Sequence, residues 1–545
     1  VTRQRPRAID ALFVGYEEQE NLGLRSIIAT LEVHGFRSAL VPYITGDPSR
    51  VLAAVRDYSP GLVGFSIIFQ YTLNGFADLM AELRNAGIQA HFTAGGHFPS
   101  LKPRETLDAI PALDSVVCFE GELTTLELLK HLDQADRWAI IEGLAFRRDG
   151  EVVVNPARPL VADLNTLSPP IRSAPRTMSR GIRVASLLAS RGCLYNCSFC
   201  SVRQFYGGPR GSLRRVRAPE AVASEMKTLY ERDGVRFFIF QDDDFAARSR
   251  KQREWVESFL EALDGKELAD RIAWKISCRV DDVERELFAR CRDHGLIAVY
   301  LGVESGNTIG LRIMNKLVTV KQNLAAINTL KGLDIAFDIG FMLFDPDSTF
   351  ETIKKNIAFL RQVAGDGPFP VNFCKMLPYA GTPIEARLCR EGRLKGTISR
   401  PDYDFTDPRL DLYAFYVSKV FNFRNFDRLG LVERLRIAIF DSVLARTIEP
   451  VQWVEEYETA LRDLTARANA VALDTLEDGL RFFAARNVDG AINDWSDLGP
   501  LAEREWRSEV MFQCELDRII ETYNPRMLKA YVKIFNSRFG DRCTY

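Results

Sequence analysis

Two periodicities alternate along the first 135 residues. Short apolar runs occur as IDALFVGY at 9–16, SALVPYI at 38–44, GLVGFSIIF at 61–69, AHFTAGG at 90–96 and DSVVCF at 114–119. Between them lie stretches whose apolar residues recur every three or four positions, such as LGLRSIIATLEVHG, ending on Gly35, and the segment 72–86. Runs of the first kind read as buried strands and those of the second as amphipathic helices. Five strands with helices between them predict an α/β domain, a doubly wound parallel sheet over 1–138. The alternation pauses over 139–180, where IEGLAFRRDGEVVVNP reads as a hairpin with an Asp149–Gly150 turn and LSPPIRSAPRTMSRG as a linker. From 181 to 398 it returns in six units, with strands VASLLAS, FFIFQDDD, AWKISCR, AVYLGVES, AFDIGFMLF and VNFCKMLPY. A partial (β/α)6 barrel is the preferred reading; a second open sheet fits the same pattern. Residues 399–545 carry helical periods and little strand-like alternation, which predicts an α-helical domain that caps the barrel and shapes a pocket.

Composition narrows the function classes. The chain has 545 residues, enough for three or four domains. A formal net charge of −2 argues against a general nucleic-acid binder. No apolar run reaches the roughly 18 residues of a membrane span, and VTRQRPRAID lacks the apolar core of a secretory signal. The expectation is a soluble, cytoplasmic protein that works without a membrane. The sequence begins at Val1, as expected if an initiator or a tag has been removed. Ten cysteines in a chain of this length do not make a disulfide scaffold, and in a reducing compartment clustered ones serve metal binding or chemistry.

Three cysteines are clustered, Cys193, Cys197 and Cys200 in RGCLYNCSFC, in the loop after the first strand of the second set. Barrel chemistry sits at strand carboxyl ends. Thiolates suit zinc or iron–sulfur clusters, and structural zinc prefers four protein ligands. Three thiolates can instead hold a [4Fe-4S] cluster and leave one iron open. Further polar groups end later strands: Asp242 and Asp243 in FQDDDF, Arg279 in SCRVDD and Glu304 in LGVESG. The aspartates are also plausible helix caps. Arg203, Arg210, Arg214, Arg215 and Arg217 crowd the loop after the cysteines and read as a solvated edge or as an anion site.

The cysteine spacing, with Phe199 before the last cysteine, matches the radical S-adenosylmethionine (SAM) family. The resemblance implies that Cys193, Cys197 and Cys200 hold the cluster and that SAM is cleaved reductively to a 5′-deoxyadenosyl radical. It also implies that Asp242 and Asp243 receive the methionine ammonium, that Arg279 pairs with the carboxylate, that Glu304 accepts from the ribose hydroxyls, and that Phe199 lies near the adenine. LPYAGTP, at 377–383, would shape the adenine end.

The first sheet carries a second resemblance. Ser66, the Gly95–Gly96 pair and FEGE, with Glu120, fall at successive strand ends, and parallel sheets bind ligands there. Taken singly each is compatible with an ordinary turn. Together they resemble the Rossmann-like cobalamin-binding domain, which implies that Ser66, Gly95 and Gly96 line a slot for the nucleotide tail. The loop GYEEQENLG lacks the Asp-x-His-x-x-Gly histidine that ligates cobalt in part of that family. Phe69 or Gln70 would then face the metal. The five histidines, 34, 91, 97, 131 and 294, lie on different segments and read as core or surface residues.

The domain order resembles the cobalamin-dependent class of radical SAM enzymes. That implies a methyltransferase moving a methyl group from SAM via methylcobalamin to an unactivated carbon of a small molecule or peptide, plausibly in natural-product biosynthesis. A cyclase or rearrangement enzyme and a non-catalytic cofactor-binding regulator are the alternatives. The resemblance further implies a flavodoxin- or ferredoxin-type electron donor and a monomer. The aromatic stretch YDFTDPRLDLYAFYVSKVFNFRNF reads as helix core or as a pocket for an apolar substrate, and Cys514 and Cys543 as inert.

Overall fold

A computed structural model describes residues 8–246, 248–449, 451–487 and 498–531. They form two compact units. The first comprises the chain up to Ala174 together with Ser186–Ala221 and Leu377–Tyr403, and the second comprises Pro175–Ala185, Val222–Met376 and the chain from Asp404 onward.

The first unit is built on a seven-stranded sheet of β1 (Ala11–Gly15), β2 (Ser38–Pro42), β3 (Leu62–Ser66), β4 (His91–Gly95), β5 (Ser115–Val117), β6 (Leu144–Arg148) and β7 (Glu151–Val154), in the order β2-β1-β3-β4-β5-β6-β7. The first five are parallel. The central strands β1 and β3 are buried at every position, as a sheet covered by helices on both faces requires. One core gathers Val14, Phe65, Phe76 and Phe92 on one face, and a second gathers Phe13, Ile28, Leu128 and Phe146 on the other. The hairpin expected as a connector is instead part of this sheet: β6 pairs antiparallel with β5, and β7 with β6. Leu144, Ala145 and Phe146 bury their side chains in the cores, and this apolar run draws the hairpin onto the open edge.

Chain order continues with β8 (Arg176–Thr177), β9 (Arg183–Leu187), β10 (Ser190–Arg191), β11 (Arg215–Val216), β12 (Val235–Phe240), β13 (Ala273–Arg279), β14 (Leu296–Glu304), β15 (Ala336–Phe344), β16 (Cys374–Lys375), β17 (Leu394–Gly396) and β18 (Pro401–Tyr403). The sheet order β16-β15-β14-β13-β12-β9-β8 is the curled half-barrel of the second unit. Strands β12 to β16 are parallel, and β8 adds one antiparallel edge. The sixth expected strand shortens to two residues, Cys374 and Lys375. Sequence-local signals set the helix starts. Thr319 and Gln322 form a reciprocal capping box for the helix Val320–Gly332, and Asp407 caps Pro408–Phe426, with proline at its first position.

The C-terminal region is helical, with Pro408–Phe426, Leu431–Ile448, Val454–Ala484 and Leu498–Tyr523. Val443, Leu444 and Ile448 pack on Val184, Phe237, Ala273 and Ile297, which lie in the first residues of their strands. The helix Leu431–Ile448 therefore closes the amino-terminal end of the half-barrel, while Tyr413 of Pro408–Phe426 packs on Phe344, the last residue of β15. The aromatic stretch is divided: Tyr413, Tyr416 and Phe421 are buried, while Phe415, Phe423 and Phe426 are exposed. Cys543 lies outside the described residues. No described helix is long and apolar enough to cross a membrane.

Candidate functional site

In the first unit, a cavity of about 420 Å³ opens at the carboxyl ends of β1 to β3, lined by Tyr16, Asn21, Thr45, Ser66, Phe69 and Tyr71 among others. Ser66 is buried and its hydroxyl accepts from Asn21 Nδ2 at 3.2 Å. Phe69 is half-exposed and stacks on Tyr71, with ring centroids 5.3 Å apart. Gln70 is turned away. Its Oε1 accepts from Ala380 N at 2.6 Å and its Nε2 donates to Ile398 O at 3.1 Å, so its amide is used on backbone. Of the two residues expected to face a corrin, Phe69 lines the cavity. None of the lining residues is a histidine.

The glycine pair ends β4, where Gly95 is the register partner of Ser66, and builds a tight turn. Gly96 has φ of 116°, and a Cβ there would come within 2.5 Å of Ile67 O. Only glycine fits that conformation and that approach. The turn therefore leaves backbone without side chains at the end of β4, next to Ser66 of the cavity, and a cofactor that lies along the strand ends fits such a surface.

The cysteine loop belongs to the same unit. Gly192, with φ of 87°, packs so tightly on Leu213 O that a Cβ would overlap it. Cys200 N donates to Cys197 O, and Ile384 N to Ser198 O at 3.0 Å, which fixes the loop from both sides. Cys197 is buried, and Cys193, Phe199 and Cys200 are partly exposed. Among the described residues, no three His, Cys, Asp or Glu side chains close on one point as a single ion requires. A four-iron cluster asks for a wider spacing of its thiolates than a single ion does, because each thiolate takes a different iron. Three thiols on one preorganised loop fit that group.

Of the arginines after the cysteines, Arg210 is exposed and Arg203 and Arg217 are half-buried, as a solvated edge requires, whereas Arg214 and Arg215 are buried. Glu120, expected at a cofactor, spends its carboxylate on Arg191 (3.0 Å), Arg215 (2.9 Å) and the Val161 amide (3.0 Å). Arg191 also meets Glu122 at 2.6 Å. Burial pushes the Glu120 carboxyl up, but the Arg215 hydrogen bond and the two arginine charges outweigh it and hold the group below its ordinary value. Arg214 is buried as well, and Arg217 donates to Leu188 O.

In the second unit, the remaining expected residues sit at strand carboxyl ends. Asp242 is buried and Asp243 exposed just after β12. Arg279 ends β13, with Nε on Asp281 at 2.9 Å and an η-nitrogen on Lys316 O. Glu304 ends β14 with φ of 65° and pairs with Lys316 Nζ at 3.1 Å. Sequence reasoning missed the supports. Asn356 Oδ1 accepts from Ser305 Oγ and Gly306 N, and Asn323 Nδ2 donates to Val303 O and Ser305 O, so two buried helix asparagines lock the turn after Glu304. Their signal was an amide on an otherwise apolar helix face, in QNLAAIN and KKNIAFL. Asp282 was also missed. Its burial, together with Asp244 beside it, raises its carboxyl to about 9, so the pair carries a proton at neutral pH.

The cavity, the glycine turn and the thiol loop coincide with two family models. Residues 11–129 match the B12 binding domain and 187–360 the radical SAM superfamily. The chain combines a B12-binding domain with a radical SAM domain. Cobalamin, a [4Fe-4S] cluster and SAM are the cofactors those domains imply. The chain is 32% identical over 305 residues to an anaerobic magnesium-protoporphyrin IX monomethyl ester cyclase of Cereibacter sphaeroides, covering 54% of this chain and 48% of that protein. It thus spans about half the length of that relative. It is 25% identical over 452 residues to a cytidylyl-2-hydroxyethylphosphonate methyltransferase of Streptomyces wedmorensis, covering 72% of this chain and 80% of that one. Among solved structures, the cobalamin-dependent SAM radical enzyme OxsB superposes with a TM-score of 0.65 at 17% identity, over 98% of this chain and 84% of its own. The radical SAM methyltransferase TsrM of Kitasatospora setae superposes with a TM-score of 0.58 at 16% identity, over 70% and 75% of the two chains. These two likenesses are likenesses of fold.

Proposed function

We propose that the protein is a methyltransferase of the cobalamin-dependent radical SAM class, acting on an unactivated carbon of a small molecule or peptide. The observation that carries the reading is the pairing of the Ser66–Phe69 cavity with a three-thiol loop in one chain, in the company of methyltransferase relatives matched over most of their length. When bound, the cluster supplies the electron that cleaves SAM and the corrin carries the methyl group. The chain's own part is positional. Ser66 and the Gly95–Gly96 turn receive the corrin and its tail, and Phe69 presents an apolar, non-ligating wall. Cys193, Cys197 and Cys200 hold the cluster. Asp242 and Asp243 accept the methionine ammonium, Arg279 the carboxylate and Glu304 the ribose hydroxyls, while Phe199 flanks the adenine. Asp281 and Lys316 hold Arg279 and Glu304 in fixed rotamers. A small flavodoxin- or ferredoxin-type protein supplies electrons, and the enzyme works as a monomer in the cytoplasm.

The cyclase relative, which has the higher identity of the two, favours a second reading, ring formation without methyl transfer. One experiment separates them. Reconstituted protein with cobalamin, a strong reductant and SAM labelled in the adenosyl group is assayed for both SAM products. A methyltransferase yields S-adenosylhomocysteine and 5′-deoxyadenosine; a cyclase yields 5′-deoxyadenosine alone. Neither product would sink both readings.

A further inference from the structure

Two part-buried links join the strand ends of the B12-binding domain to the cysteine loop, one on each side of the thiols. Upstream, Arg191 lies two residues before Cys193 and is clasped by Glu120 and Glu122, from the turn after β5. Downstream, Ser201 follows Cys200 directly, and its hydroxyl meets His97 Nδ1 at 3.2 Å. His97 is the first residue after the Gly95–Gly96 turn, and its ring stacks on Phe205 at 4.3 Å and 10°. Burial pushes the imidazole down to about 4, so it is neutral and makes this contact without a charge to compensate.

The two links are not independent. Ser100 Oγ donates to Gly96 O at 2.6 Å and accepts from Phe119 N at 2.7 Å. Phe119 precedes Glu120, has φ of 65°, and packs its ring on Phe205 with centroids 5.6 Å apart. One hydroxyl therefore ties the turn that carries His97 to the turn that carries Glu120. The turn after β4 has no room for a side chain, since a Cβ at Gly96 would come within 2.5 Å of Ile67 O. A ligand that settles on this turn fixes the position of His97, and through Ser100 that of Phe119 and Glu120. Whatever orders the thiol loop acts back along the same path.

We propose that His97, Ser100 and Glu120 are positioning residues that couple cobalamin binding to cluster binding: each cofactor tightens the other through the Ser100-centred network. This rests on the cofactor assignment above and adds to it an energetic link that neither domain has alone. Linkage makes the coupling reciprocal, and couplings of this kind are typically worth about 5- to 150-fold in affinity.

The test is a set of four dissociation constants on the full chain. Hydroxocobalamin binding is measured with the cluster reconstituted and with the iron removed by chelation, in the wild type and in Ser100→Ala. Ser100 is not itself one of the residues assigned to either cofactor, but its hydroxyl holds the Gly96 carbonyl, so the readout is the ratio of affinities with and without the cluster and not the absolute affinity of the variant. The expected result is binding at least ~5-fold tighter with the cluster in the wild type, and a ratio near one in Ser100→Ala. His97→Phe, which keeps the stack on Phe205 and removes the Ser201 contact, should lower the ratio as well and serves if Ser100→Ala does not fold. Equal affinities in the wild type, or an undiminished ratio in the folded variants, overturn the proposal. In that outcome both cofactors still bind and the functional reading stands; absence of any cobalamin or iron binding removes both.

Discussion

Asp282 and Asp244 are two carboxyl groups buried against each other just beyond the ends of neighbouring strands β13 and β12. Two negative charges cannot share so dry a site, so the pair keeps a proton, and the Asp282 carboxyl is raised above its ordinary value. Its folded-state value, about 9, lies above that of the unfolded chain. Its contribution to stability is therefore fully present below pH ~4 and is lost as pH rises towards 9, at up to ~1.4 kcal/mol per pH unit. Asp282→Asn keeps an acceptor for Arg279 N and abolishes the titration. The Tm of this variant should gain on the wild type as pH goes from 6 to 8. A Tm difference that stays flat over that interval would show that the pair holds no proton in the folded chain.

Cys197 is the most buried of the three thiols. Replacing it by alanine removes one ligand without altering the turn made by Cys200 N. Reconstituted Cys197→Ala should lose the brown charge-transfer absorbance and most of its iron, as quantified after desalting. Full iron content would show that the cluster is held elsewhere.

Gly96→Val places a branched side chain against Ile67 O in a backbone region that valine avoids. The turn must open, and cobalamin retention after gel filtration should be lost while the cluster spectrum remains. Undiminished retention would separate the glycine turn from corrin binding.

Glu304→Gln removes the charge that Lys316 faces and weakens a charge-assisted acceptor at the end of β14. SAM affinity, measured by calorimetry on the reconstituted protein, should fall on the order of tenfold. An unchanged affinity would leave Glu304 with Lys316 alone and no part in SAM binding.

The sequence disclosed elements whose cause is local. Strand runs such as ALFVG, the capping box of Thr319 and Gln322 and the cysteine spacing each carry their signal within a few residues. What stayed hidden depends on partners distant in the chain. Glu120 reads as a strand-end acid open to a ligand until Arg191 and Arg215, more than 70 residues later, are seen to enclose it. Gln70 offers an amide to a corrin until Ala380 and Ile398 claim both its ends. His97 gave no sign in sequence, because a lone histidine becomes informative only when Ser201 and Phe205 are placed against it. The hairpin 144–154 was legible as a hairpin, but its docking on β5 depends on an edge that only the assembled sheet presents.

The backbone passes from one compact unit to the other at 174/175, 185/186, 221/222, 376/377 and 403/404. A cut at a single linker therefore cannot release the cobalamin module as a self-sufficient fragment. Expressed alone, residues up to Ala174 would lack both Arg191 and Arg215, leaving buried Glu120 and Glu122 uncompensated, and would strip Gln70 of its backbone partners. Grafting this module onto another barrel requires moving three pieces of chain together.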